Sequence, residues 1–87
     1  MADRQVSQTR KDRYGDILAL CYPGKDWSPR QNPDAIRDIE SHLHTYYVIW
    51  PEGKRTEVRV VNGPAGKYLR TDRDNTERNN LDDLPDC

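Results

Sequence analysis

Two β-rich runs, His44–Trp50 and Lys54–Val61, meet at Trp50-Pro51-Glu52-Gly53, and this junction constrains the fold more than any other feature. Pro suits the second position of a type I turn and Gly the left-handed position that follows, together a three-residue loop with a bulge. That turn pairs Trp50 with Lys54, Val48 with Thr56 and Tyr46 with Val58. Side chains alternate across a strand, so the register gathers Tyr46, Val48, Trp50, Val58 and Val60 on an apolar face. Tyr47, Ile49, Arg55, Glu57 and Arg59 share the other. A two-residue loop would shift the pairing by one and regroup Tyr47 and Ile49 with Val58 and Val60, but it gives Pro51 and Gly53 no reason to be there.

The apolar face of this hairpin needs a cover. Asn32-Pro33-Asp34 is a helix start, with a capping Asn, Pro at the first helical position and an acid at the positive dipole end. Ala35, Ile36, Ile39 and Leu43 follow as one stripe, leaving Asp34, Arg37, Asp38 and Glu40 outside it, and the helix should end near His42. Upstream, residues 1–5 are polar and expected to be flexible. Val6–Lys11 reads as an edge strand, Asp12–Gly15 as a turn, and Asp16–Tyr22 as a central strand too short to be a helix before Pro23. Trp27, in a loop broken by Pro23, Gly24 and Pro29, should lid the core. Downstream, Asn62–Gly66 is a loop and Lys67–Thr71 a fifth strand, with the inward choice between Tyr68 and Leu69 left open. The order β-β-α-β-β-β implies an α+β domain spanning 6–87: a mostly antiparallel sheet of about five strands with one amphipathic helix on one face.

The chain has 87 residues, enough for one small domain. Leu, Ile and Val number 15 and Phe is absent, so two Trp and five Tyr must supply part of the core. This composition excludes a membrane span, a coiled coil and a disulfide-rich scaffold. A net charge of −1 disfavours a general electrostatic DNA binder. The charge is nonetheless graded: residues 1–30 carry +2, 31–44 carry −2, 45–71 carry +3 and 72–87 carry −4. Either these charges neutralise one another across a small surface, or a basic sheet face is kept for an anionic ligand. No apolar leader opens the chain, which makes the cytoplasm the expected compartment. Cys21 and Cys87 are then expected as two free thiols, with a disulfide closing nearly the whole chain as the alternative.

The chemistry-bearing motifs are thin. Gly63-Pro64-Ala65-Gly66-Lys67-Tyr68 resembles a phosphate loop only superficially, because it has two residues between the glycines and Tyr after Lys. Asp72, Asp74, Thr76 and Asp83 echo a calcium loop, but Glu77 stands where that loop turns on Gly. His42, His44, Cys21 and Cys87 lack zinc-ligand spacing. Cys21 with His42 or His44 is the only nucleophile–base pair on offer, and a thiol in an apolar strand is poorly activated. No metal, cofactor or catalytic group is therefore assigned. The non-helix sheet face remains: Tyr47, Arg55, Arg59, Lys67 and Arg70 are the candidate binding residues. Rings and guanidinium groups on an open sheet suit a protein partner, or alternatively a single-stranded nucleic acid or nucleotide.

Val60–Asp72, Asp74-Asn75-Thr76 and Asn79–Pro85, with Asp34–Glu40 and Tyr46-Tyr47-Val48 upstream, resemble a family of small bacterial domains of unknown function. The resemblance runs from about Val6 and supplies no activity or site. It implies that the polar C-terminal segment 72–87 belongs to the domain, anchored by Leu81 and Leu84. The reading is a small binding module, without enzymatic function, that recognises another macromolecule through its open sheet face.

Overall fold

A computed structural model describes residues 2–14, 16–64, 66–71 and 80–87. The fold is α+β. The hairpin at Pro51 forms in the expected register: β5 (His44–Ile49) and β6 (Arg55–Glu57) pair antiparallel with Val48 opposite Thr56. Trp50 N–H donates to Lys54 O at 2.9 Å, Gly53 N–H donates to Trp50 O at 2.8 Å, and Gly53 takes φ 89°. This is the bulged three-residue loop, and only the glycine adopts that backbone without strain. The faces follow: Tyr46, Val48, Trp50 and Val58 are buried, whereas Ile49 and Arg55 are exposed. The fourth expected strand breaks at Val58, whose N–H donates to Tyr46 O. It resumes as β7 (Arg59–Gly63), which pairs antiparallel with β8 (Gly66–Arg70).

The first hairpin is also present, as β2 (Gln8–Lys11) against β3 (Ile17–Cys21), with Asp12 Oδ1 accepting the Tyr14 and Asp16 amides in the turn. β3 is the central strand of its sheet because a two-residue strand, β4 (Arg30–Gln31), pairs along its other side. The polar start, expected to be flexible, is instead a strand. β1 (Ala2–Gln5) runs parallel to β5, with Ala2 opposite His44 and Gln5 opposite Tyr47. Apolar patterning could not reveal β1, because its attachment is made by the backbone ladder and by polar side chains. Asp3 accepts from Thr45, the Ala2 N–H donates to His44, and Arg4 donates to Tyr46.

The helix α1 (Asn32–Glu40) packs on β3, β5 and β8. Two details differ from the sequence reading. Gln31 is the N-cap, with no side-chain cap bond, so Asn32 lies inside the helix rather than capping it. The buried stripe is also rotated. Ala35 and Asp38 are fully enclosed, Ile36 and Ile39 only partly, and Leu43 is 53% exposed. At 100° per residue Asp38 lies about 60° from Ala35, so the stripe centres between these two and not between Ala35 and Ile36. Leu43 falls outside because the helix ends first, with His42 at φ 59° turning the chain.

The core is Val6, Ile17, Leu20, Ala35, Tyr46, Val48, Trp50, Val58, Leu69 and Leu81, with Trp27 and Leu84 packed at its margin. Trp27 thus lids the core as expected, its ring edge-on to Tyr46 at 5.7 Å. Leu69, not Tyr68, points inward. A 3₁₀ turn at Asn80–Asp83 inserts Leu81, and the chain then runs parallel to β2 through a Thr9–Asp86 bridge. The residues between Thr71 and Asn80, including Asp72, Asp74, Thr76 and Glu77 of the calcium-like pattern, lie outside the described residues.

The expectation of two free thiols is corrected, because Cys21 and Cys87 form a disulfide. The returning C-terminal segment brings their Cα atoms to 6.5 Å across 66 positions of sequence, a distance that a disulfide spans. Nothing local in either cysteine's neighbourhood signals that return.

Candidate functional site

Four of the five sequence-predicted binding residues alternate away from the core, in two groups on two separate ladders, β5–β6 and β7–β8. In the first, the Arg55 guanidinium carbon stands 3.9 Å from the Tyr47 ring centroid. Its position is fixed from the sides: Arg55 Nε donates to Glu57 at 2.9 Å and Nη2 to Asp3 at 2.6 Å. Asp3 Oδ1 in turn accepts from Thr45. The hydrogen bond from Arg55 holds the Asp3 carboxyl below its ordinary range, and Asp3 and then Glu57 raise the Arg55 pKa. This group is a flat ring-and-guanidinium plate whose charge is already matched by two carboxylates. β1, which the sequence reading left flexible, supplies one of them.

The second group lies on β7–β8. Arg59 sits directly opposite Arg70, and Val61 opposite Tyr68. Since Val60 and Leu69 turn toward the core, Arg59, Val61, Tyr68 and Arg70 share the outward face. Gly63 belongs to the same face, and it is glycine for a reason. A Cβ there would come within 2.8 Å of the Tyr68 ring, which lies across the hairpin.

Lys67, the fifth candidate, is not on this face. It alternates to the helix side with Leu69 and reaches Glu40 of α1 at 2.6 Å. Tyr68 takes its place in the patch. The choice between Tyr68 and Leu69 turned on the β7–β8 loop, which is shorter than the sequence suggested: the strands reach Gly63 and Gly66.

A further cluster escaped the sequence reading. Asp38, 2% exposed, accepts Arg30 Nε at 2.9 Å and Nη2 at 3.0 Å and the Tyr46 hydroxyl at 2.6 Å. Arg4 Nη1 donates to the same hydroxyl at 2.9 Å, and its guanidinium packs beside the Trp27 and Tyr46 rings. Burial pushes the Asp38 carboxyl up, but the hydrogen bonds from Arg30 and Tyr46 outweigh it and hold the group below its ordinary value. Burial, then donation to Asp38, pushes the Tyr46 phenol up. These four side chains tie β1, β4, α1 and β5 together. The available signal was helical phase: an acid three residues after a fully buried Ala.

The remaining candidates do not assemble. Cys21 is 4% exposed and bonded through its sulfur to Cys87, so in this state it offers neither a nucleophile nor a metal ligand. Among the described residues no cluster of three His, Cys, Asp or Glu side chains could hold a metal. Gly63 and Gly66 pair across the β7–β8 hairpin and Lys67 lies in a strand, where a phosphate loop needs a helix. An open depression on α1, lined by Pro33, Ile36, Arg37, Glu40 and Ser41, is separate from the sheet face. No helix among the described residues is long and apolar enough to cross a membrane.

No curated protein matches the chain, and no solved structure does. A family model matches residues 5–85, nearly the whole chain and including the C-terminal anchor: the chain belongs to the family described as protein of unknown function, DUF3892.

Proposed function

We propose that this domain is a binding module that recognises another protein through its outward sheet face, with Arg59, Arg70 and Tyr68 as the principal contacts and the Tyr47–Arg55 plate beside them. The observation that carries this reading is the Arg59–Arg70 cross-strand pair on the same face as Tyr68. Tyr and Arg are the side chains that most often anchor protein interfaces. The alternative, single-stranded nucleic acid or nucleotide, is weaker on charge. Asp3 and Glu57 offset Arg55, which leaves the face close to neutral, whereas a phosphate backbone calls for several uncompensated cations. The cytoplasmic setting expected from the sequence adds a consequence: in that compartment a disulfide is typically transient, whereas in an oxidising one it persists.

The test is affinity capture from the native host with wild type, Arg59→Glu/Arg70→Glu and, as control, Lys25→Glu. A protein retained by wild type and the control but lost with the double variant supports the reading. Retention by all three overturns it. Oligonucleotide binding at low salt that the double variant abolishes would move the assignment to nucleic acid.

A further inference from the structure

We infer that the Cys21–Cys87 disulfide is a thiol–disulfide exchange site, latching the C-terminal residues over the edge of β2 for release by a dithiol reductant. The observation beneath it is how the last residues are held. Leu81 is fully buried and Leu84 packs on the core, so the segment is anchored up to that point. Beyond it, Pro85, Asp86 and Cys87 are all exposed. Their described non-covalent attachments are few. Thr9 N–H donates to Pro85 O at 3.0 Å, Cys87 N–H donates to Thr9 O at 3.2 Å, and Lys11 reaches the exposed Asp86 at 3.1 Å. None of these buries apolar surface, so the covalent bond is the principal fastening.

The two cysteines are also unequally exposed. Cys21 lies in the buried central strand and Cys87 at the surface, so an incoming thiolate meets Cys87 first. The thiolate of a dithiol attacks Cys87 Sγ, the Cys21–Cys87 bond breaks, and Cys21 leaves with the electron pair and takes up a proton. The second thiolate of the dithiol then attacks its own mixed-disulfide sulfur. Cys87 leaves and is protonated, and the reductant departs as a disulfide. Two electrons and two protons have passed to the protein. The last residues can then lift away, opening the Thr9 N–H and C=O on a strand edge, the kind of backbone row to which an extended peptide adds.

The full chain is tested in two ways. A brief pulse of glutathione, quenched by acid and mapped by mass spectrometry, should place the mixed disulfide on Cys87 at least ten-fold more often than on Cys21; a majority on Cys21 overturns the direction of attack. Backbone relaxation by NMR should then show the amides of Asp86 and Cys87 becoming mobile on reduction with dithiothreitol, while Leu20, Tyr46 and Val48 keep their dispersed resonances. Cys87→Ser without reductant should reproduce that pattern. Asp86 and Cys87 staying rigid after reduction, or the core resonances collapsing together with theirs, overturns the latch. The outward sheet face plays no part in this readout.

Discussion

Replacing Asp38 by Ala removes the acceptor shared by Arg30 and Tyr46 and the carboxylate that stands 3.8 Å from Arg4. The carboxylate is almost fully enclosed, while Arg30 keeps about a third of its side chain in solvent. Breaking a buried ion pair on one side costs about 3–5 kcal/mol, and the partial exposure of Arg30 places this case at the low end, about 3 kcal/mol. A domain of this length is stable by roughly 4–13 kcal/mol, so a large fraction is lost. At about 4–8 °C per kcal/mol the melting temperature should fall by roughly 12–24 °C. Urea denaturation followed by tryptophan fluorescence, with Asp34→Ala as control, measures it. Asp34 meets Arg37 only at 3.7 Å on the helix surface, a contact of about 0.5 kcal/mol at most. The Asp38 pKa adds a pH signature. The folded carboxyl titrates below its ordinary value of 3.8, so its stabilisation is complete above that value and is lost as the pH falls through the lower folded pKa. Asp38→Ala should flatten this acid limb. A loss under about 1 kcal/mol, or one equal to that of the control, refutes the assignment of Asp38 as the tie between β1, β4, α1 and β5.

Other consequences follow from the same geometry. Tyr46→Ala should cost about 3–5 kcal/mol and Tyr47→Ala well under half of that, since only the first ring is enclosed; denaturation of both variants checks the facing of the pleat. Gly53→Ala should cost about 1–2 kcal/mol from backbone strain alone, because φ is 89° and no atom lies within 4 Å of the added methyl; a larger loss would mean a clash that the turn geometry excludes. Burial, and then the Arg4 charge, holds the His44 pKa below 6.5. The unfolded chain therefore takes up this proton first, and stability should drop as the pH falls below about 6.5, with the slope removed in His44→Gln; a melting series from pH 8 to 5 measures it.

How much of this was legible depends on how local the cause was. The hairpin register was, because Pro51 and Gly53 specify the turn, and a turn plus the pleat sorts every side chain from Tyr46 to Val60. The helix was legible, but not the centre of its buried side. An acid read as solvated is buried here because Arg30 and Tyr46, distant in the reading though only eight residues away each, converge on it. β1 and the disulfide were not, since both are made by segments that meet only once the chain has closed: Ala2 with His44, and Cys21 with Cys87. The candidate face stood between these cases. Arg55 and Arg59 were placed by alternation from the Pro51 turn, whereas β8 had no fixed phase until the Gly63–Gly66 pairing set it, turning Tyr68 and Arg70 outward and Lys67 to the helix side.

The most direct test of the proposed recognition face is amide hydrogen exchange of the domain free and in complex with the protein it captures. The account predicts new protection over residues 55–61 and 66–70, with residues 25–40 unchanged. Protection confined to α1 and the Trp27 loop, with 55–61 and 66–70 left as in the free domain, would contradict it.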